Sequence, residues 1–293
     1  MQIVLISGVS GSGKSIALKV LEDADYFAVD NLPATLLPEL IIDLQAAGYR
    51  RVAVAVDVRS GTSIAALPQQ VERLRGITSD LRVIFLDARD ETLIARFSET
   101  RRTHPLADEQ VSLAEAIHKE RDALAGIAEL GHHIDTSDLQ PNTLRTWIKD
   151  FLEIEPTEGI TLMFQSFGFK YGIPLDADLV FDVRCLPNPH YDPVLRPFTG
   201  RDACVIEFLE SVPEVGEMCE DIGRFVANWL PAYARDNRSY LTVAIGCTGG
   251  QHRSVYIAEW LGARFRDEIR VLVRHRSAAR RIVDQAGAAA SGK

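Results

Sequence analysis

The feature that most constrains this chain is a glycine pattern near its start. An apolar run, Ile3-Val4-Leu5-Ile6, leads into Gly8-Val9-Ser10-Gly11-Ser12-Gly13-Lys14-Ser15, and Ile16 to Leu21 then carries apolar residues at helical spacing. This is G-x-x-x-x-G-K-S set between a buried strand and a helix, the context in which the pattern makes a phosphate-binding loop. Gly8, Gly11 and Gly13 let the backbone turn its N–H groups onto an anion without Cβ clashes. The helix N-terminus adds unpaired N–H groups and the positive end of its dipole. Lys14 is expected to reach the β- and γ-phosphates, and the Ser15 hydroxyl to ligate Mg²⁺.

Around that loop the first half alternates strands and helices, which predicts an α/β domain with a parallel sheet covered on both faces. Strands are expected at Tyr26-Phe27-Ala28-Val29-Asp30, from Arg51 to Asp57, from Val83 to Asp87 and at Ile134-Asp135. Helices are expected from Leu36 to Ala47, Glu91 to Phe97, Val111 to Leu130 and about Pro141 to Phe151. Asp30 and Asn31 fall in a turn at the carboxyl edge of the sheet, where such sheets bind ligands. Asp57 and Asp87 each end an apolar strand, the position from which phosphate-loop enzymes hold Mg²⁺, and spacing does not choose between them. Arg96, Arg101, Arg102 and His104 precede Pro105; in a small-molecule kinase such a segment closes over the nucleotide, which makes kinase chemistry an alternative function.

At 293 residues the chain is long enough for two domains, and 46% hydrophobic residues suffice for two ordinary cores. The acidic stretch Glu153 to Gly159, with Pro156, is the expected boundary, giving an N-terminal P-loop NTPase-like domain over 1–153 and a C-terminal α/β domain over 160–293. The absence of an 18-residue apolar run excludes a transmembrane helix, and Met1 leads directly into the first strand, so a cytoplasmic protein is expected. Cys185, Cys204, Cys219 and Cys247 have no C-x-x-C spacing and read as reduced thiols.

The second half holds another strand, glycine loop and helix. Leu241 to Ile245 is apolar, Gly246-Cys247-Thr248-Gly249-Gly250-Gln251-His252-Arg253-Ser254 follows, and Val255 to Phe265 is helical. The anion logic of the first loop applies again, with Arg253 able to fork onto a phosphate and Ser254 able to cap the helix. The same residues spell C-x₅-R-S, the spacing with which thiol phosphatases set a nucleophilic Cys beneath phosphorus, so a thiol phosphatase acting through Cys247 is a second alternative. Two further strands are expected, Ile160 to Phe167 and Asp178 to Arg184. A proline-rich loop beyond the second carries Arg184, Asn188 and His190, side chains suited to an anion or sugar hydroxyls. Although the chain carries a net −9, eight cations face three acids from Arg264 onward. In strand form, Arg270, Arg274 and Arg276 share one face, and Arg280 and Arg281 extend the track, as backbone recognition of RNA or another polyanion requires. The last residues, Ala286 to Lys293, have the composition of a disordered tail.

With both loops quoted, together with Tyr26 to Pro33, Asp57-Val58-Arg59-Ser60 and His190, the chain resembles the RapZ family of nucleotide-binding RNase adapter proteins along nearly its whole length. The resemblance implies ATP and GTP binding by Gly8, Val9, Ser10, Gly11, Ser12, Gly13, Lys14 and Ser15, with Asp57, Val58, Arg59 and Ser60 in a guanine-nucleotide role and Ser15 and Asp57 on Mg²⁺. It implies slow hydrolysis at most. It implies a C-terminal domain like half of a phosphofructokinase, binding a phosphorylated amino sugar through Asp182, His190, Cys247, Thr248, Gly249, Gly250, His252, Arg253 and Ser254. It further implies a small regulatory RNA on Arg184, His190, Arg270, Arg274, Arg276, Arg280 and Arg281, presented to an endoribonuclease by a tetramer. The chain departs from the RNA-binding members at Gln251, where a Lys is common, and in its Arg- and Ala-rich tail.

Overall fold

The computed structural model describes residues 1–58, 64–153, 160–235 and 240–277. These form two units, Met1–Glu158 and Gly159–Lys293, each built on its own parallel sheet.

The first unit runs β1 (Gln2–Gly8), α1 (Lys14–Glu22), β2 (Phe27–Val29), α2 (Leu37–Ala46), β3 (Arg51–Ala55), α3 (Leu67–Arg75), β4 (Asp80–Asp87), α4 (Asp90–Thr100), α5 (Leu113–Ala128), β5 (His132–Asp135) and α6 (Pro141–Glu153). The sheet order is β2-β3-β1-β4-β5 with every pair parallel. Strands 1, 3 and 4 are apolar almost throughout because helices cover both their faces. Ile3, Leu5, Val52, Val54 and Phe85 meet Leu37, Ile41, Leu67, Val71 and Leu124 in one core, each at most 2% exposed. Burying each such side chain contributes about 1.5–3 kcal/mol. A Ser112–Glu115 capping box fixes where α5 begins. Strand order reverses at β1, so its carboxyl end opens into the crevice where sheets of this kind hold ligands.

The second unit runs β6 (Thr161–Gly168), β7 (Leu179–Asp182), α7 (Ala203–Glu210), α8 (Pro213–Arg235), β8 (Tyr240–Cys247), α9 (Arg253–Phe265) and β9 (Val271–His275). Its sheet is ordered β7-β8-β6-β9, again all parallel. Register sets Gly168 beside Cys247, and Asp182 beside Gly246, at one carboxyl edge. The sequence reading does not reach α7 and α8. Pro231, Gly216 and Gly223 mask the pattern of α8, which nonetheless buries Val215, Cys219, Ile222 and Val226 at helical spacing.

One expectation needs correction. Arg274 and Arg276 do not form an exposed cationic track, since they are only 4% and 3% exposed. β9 alternates as the sequence implies, but neither face is left to solvent. Val271 and Val273 pack on the core of the second unit, and the arginine face, where Arg274 sits opposite Gln165 of β6, is covered as well. Arg270 is partly buried. Arg280 and Arg281 lie outside the described residues, as do Arg59, Ser60 and most of the expected domain boundary.

Candidate functional site

The first loop is shaped by glycine at the positions where its backbone crowds a neighbour or turns left-handed. Gly8 has φ +143°, and a Cβ there would lie 2.1 Å from the Leu86 carbonyl oxygen of β4, so only glycine lets the two strands run so close. Gly13, at φ +107°, is the N-cap residue of α1 and, having no side chain, leaves the helix start without a side-chain cap. Lys14 Nζ donates to the Gly8 carbonyl at 2.6 Å and stands 4.0 Å from the Asp57 carboxylate. Ser15 is exposed at the same helix start, Val58 is buried just beyond Asp57, and the Ser12 hydroxyl is buried with no hydrogen-bond partner.

The two aspartates that spacing left equivalent differ in surroundings. Asp87 accepts from the Ala88 amide and is paired with Arg121, whose Nη2 is 3.2 Å away, whereas Asp57 faces Lys14. The arginine segment also differs from a closing lid. Arg96 donates to the Gly11 carbonyl at 3.0 Å and to both oxygens of Thr136, which ties it to the loop, and burial lowers its pKa. Arg101 and Arg102 are exposed, while His104 is buried.

A residue the motif does not contain completes this site. Glu120 of α5 is fully buried and accepts from the Ser10 amide, the Ser10 hydroxyl and His104 Nε2, each at 2.8 Å. The Leu106 amide donates to His104 Nδ1, so the network assigns the ring proton to Nε2. The sequence does hold a signal for it: Ile117, Glu120, Leu124 and Ile127 share the buried stripe of α5, and a carboxylate on that stripe must have partners.

The second loop forms one wall of a cleft of about 130 Å³ lined by Lys170, Asn188, His190, Cys247, Thr248, Gly249, Gln251, His252 and Arg253. Gly250 takes φ +68°, and a Cβ there would lie 2.5 Å from Ser277 Oγ and 2.6 Å from the Gly168 amide nitrogen. Cys247 Sγ accepts from the Gly250 amide at 3.2 Å and lies 3.1 Å from Ser254 Oγ. Arg253, 3% exposed, anchors Nη1 on the carbonyls of Arg184 and Leu186 at 2.9 and 2.7 Å. Its Nη2 makes only a 3.4 Å contact with Thr248 Oγ1, and its buried Nε has no hydrogen-bond partner.

Of the residues expected on a sugar phosphate, His190, Cys247, Thr248, Gly249, His252 and Arg253 line this cleft. Gly250 and Ser254 instead support Cys247, and Asp182 is held by Arg184. That pairing keeps the Asp182 carboxyl below its ordinary range, and the Arg184 guanidinium lies 4.0 Å over the Phe169 ring. Lys170 was missed, because the stretch Gly168 to Pro174 reads as a plain turn; a Lys within a glycine-flanked turn directly after a strand is the available signal. Among the described residues no group of three or more His, Cys, Asp or Glu side chains could hold a metal ion, and no helix is long and apolar enough to cross a membrane.

A glycine loop ending in Lys at the reversal point of a parallel sheet, in a chain whose second unit carries a comparable loop, defines an α/β protein of P-loop type. The chain belongs to the RapZ family: residues 1–155 match the RapZ-like N-terminal domain and 160–279 the RapZ C-terminal domain. It is 81% identical over 284 residues to a nucleotide-binding protein of Aromatoleum aromaticum, covering 97% of each chain. It is 76% identical over 293 residues to a nucleotide-binding protein of an Azoarcus species, covering both completely. Among solved structures, a shikimate kinase from Bacteroides thetaiotaomicron aligns over 52% of this chain and 99% of its own at 13% identity, with a TM-score of 0.38.

Proposed function

We propose that the protein is a cytoplasmic regulatory adapter with two ligand inputs: ATP or GTP with Mg²⁺ at the first loop, and a phosphorylated amino sugar at the second. Their occupancy controls whether a homo-oligomer, taken as a tetramer, presents a small regulatory RNA to an endoribonuclease. The observation that carries this reading is the pair of strand, glycine loop and helix units, each at the carboxyl edge of its own sheet and each with a cation in the loop, Lys14 in one and Arg253 in the other. Relatives named as nucleotide-binding proteins support the first input. The Ser15 hydroxyl and the Asp57 carboxylate are hard oxygen donors that fit Mg²⁺ and would hold it. Bound there, the ion would offset phosphate charge beside Lys14. Hydrolysis of the nucleotide is slow at most, and its occupancy is the signal.

The burial of Arg274 and Arg276 shifts the RNA surface to Arg184, His190 and Arg270, together with Arg280 and Arg281. Arg184 and His190 are exposed, and His190 also lines the sugar-phosphate cleft. An RNA phosphate and a sugar phosphate would therefore compete for the same ground. The test is titration of a structured RNA against the full chain with and without glucosamine 6-phosphate. Sugar phosphate should weaken RNA binding, and replacing Arg184 and His190 by Ala should weaken it in both conditions. RNA affinity indifferent to the sugar phosphate and to both substitutions would remove the adapter half of the proposal.

A further inference from the structure

The second loop is equipped for more than holding a phosphate. Cys247 is 3% exposed yet lines the cleft, at the junction of β8 and the loop. Its sulfur accepts from the Gly250 amide and touches the Ser254 hydroxyl, an arrangement that suits a thiolate better than a packed thiol. Burial alone would raise its pKa, but the side chain and amide of Ser254, the Gly250 amide and the charge of Arg253 outweigh burial and hold the thiol below its ordinary value. Cys219 shows the contrast: buried without such donors, its pKa is pushed up to about 12.

Arg253 supplies an independent observation. One nitrogen of its guanidinium is fixed on two backbone carbonyls, which sets the plane of the group, while the buried Nε is unpartnered and Nη2 is only weakly engaged. A guanidinium anchored at one nitrogen, in a residue that lines the cleft and with Nη2 only weakly engaged, can turn that nitrogen to an oxygen of a tetrahedral phosphate, and its unpartnered Nε leaves donor capacity to spare. The uncapped N-terminus of α9 adds amide donors at the same place. The bridging side of a bound phosphate monoester is then left toward the rest of the cleft, where His190 and Lys170 stand.

We propose that this site hydrolyses phosphate monoesters, with Cys247 as the nucleophile. The proposal rests on the reading of the cleft as a phosphate-ester site and adds chemistry to it. The Cys247 thiolate donates an electron pair to phosphorus and forms an S–P bond. The P–O bond to the alcohol breaks, its pair goes to the leaving oxygen, and protonated His190 supplies that oxygen with a proton. Water, giving a proton to the now neutral His190, then attacks phosphorus. The S–P bond breaks, its pair returns to sulfur as thiolate, and orthophosphate leaves. Ester and water become alcohol and orthophosphate with no redox change. Arg253 carries the charge of the phosphoryl oxygens through both steps, and Ser254 positions the sulfur.

The test uses the full chain with p-nitrophenyl phosphate and with glucosamine 6-phosphate, following release of orthophosphate. Cys247→Ser should lower turnover by roughly three orders of magnitude or more while inorganic phosphate still binds. His190→Ala should slow hydrolysis of the sugar phosphate far more than that of p-nitrophenyl phosphate, whose leaving group needs no proton. Acid quenching should trap a phosphoryl group on the Cys247 peptide. If Cys247→Ser fails to fold, inorganic phosphate should still protect Cys247 of the unaltered chain from iodoacetate, read by peptide mapping. Turnover unchanged in Cys247→Ser, or phosphate bound with neither adduct nor release, would overturn the chemistry and leave the binding site standing. Failure of phosphate to bind or protect would overturn both.

Discussion

Replacing Glu120 by alanine removes the acceptor of three hydrogen bonds, each 2.8 Å long, from the Ser10 amide, the Ser10 hydroxyl and His104 Nε2. Glu120 is fully buried, Ser10 is 6% exposed and His104 2% exposed, so water does not freely replace the lost acceptor. Each stranded donor costs about 1–3 kcal/mol. The Ser10 hydroxyl can rotate and the vacated space can admit a water, which keeps the total near the lower end, about 3–5 kcal/mol, the scale for breaking up a buried carboxylate's partners. With an m-value of about 2 kcal/mol per M, the urea midpoint of the first unit should fall by roughly 1.5–2.5 M. Trp147 of α6, 6% exposed, reports on this unit once Trp229 and Trp260 of the second are changed to Phe. Because Ser10 belongs to the phosphate loop, affinity for Mg²⁺-ATP should drop too, and saturating nucleotide should restore part of the lost stability. Glu120→Gln should lose less, keeping one carbonyl acceptor but turning an NH₂ toward a donor. A midpoint shift within about 0.3 M together with unchanged nucleotide affinity would refute the idea that Glu120 organises the loop.

Other consequences are simpler to state. Asp57→Asn should weaken the Mg²⁺ dependence of nucleotide binding measured calorimetrically, whereas Asp87→Asn should leave that dependence intact and lower stability instead, since it removes one of the two carboxylates that hold Arg121 and leaves Asp90 alone. Gly250→Ala should destabilise the second unit by more than about 2 kcal/mol in thermal unfolding, combining the left-handed φ of +68° with a Cβ 2.6 Å from the Gly168 amide nitrogen. Burial pulls the His275 pKa below 6.5, against an opposing bond to Glu259. The folded state thus prefers the neutral ring, and that contribution is whole above about pH 6.5 and is lost as pH falls toward the folded pKa. Urea midpoints of the second unit should decline below that pH, and His275→Gln should flatten the decline.

What was legible in the sequence follows from what local pattern encodes. The phosphate loop and the succession of strands along the chain are written in glycine spacing and apolar runs; β1 and α1 lie within two residues of where those signals put them, while β3 stops at Ala55, short of Asp57, and β4 begins at Asp80, ahead of Val83. The arginines of β9 show the limit. Alternation sets Arg274 opposite Val271 and Val273 across β9, yet whether its face meets water depends on what packs against it, which no period within β9 records. The choice between Asp57 and Asp87 was equally hidden, because Arg121, the residue that occupies Asp87, lies 34 positions away on α5. The Cys247 motif was readable as a string, but the hydrogen bonds of its sulfur, and the unpartnered Nε of Arg253, come only from how loop and helix fold against the 184–186 segment.

The two units share more topology than their motifs suggest. In the first, β1 is flanked by β3 and β4 with β2 outside β3; in the second, β6 is flanked by β8 and β9 with β7 outside β8. The strand orders correspond, but the loops do not: one follows the first strand of its unit, the other the third. That displacement changes which neighbour supplies the partner groups. For the first loop, β3 delivers Asp57, a carboxylate 4.0 Å from Lys14, which suits a metal-bearing polyphosphate. For the second, the edge beside Cys247 is Gly168 of β6, and the segment beyond β7 donates the carbonyls of Arg184 and Leu186 to Arg253. Among the described residues no carboxylate lines that cleft, and His190 arrives just beyond the segment that Arg253 holds. On the proposed reading, one sheet plan thus serves a phosphate with its cation at one loop and a bare phosphate above a thiol at the other.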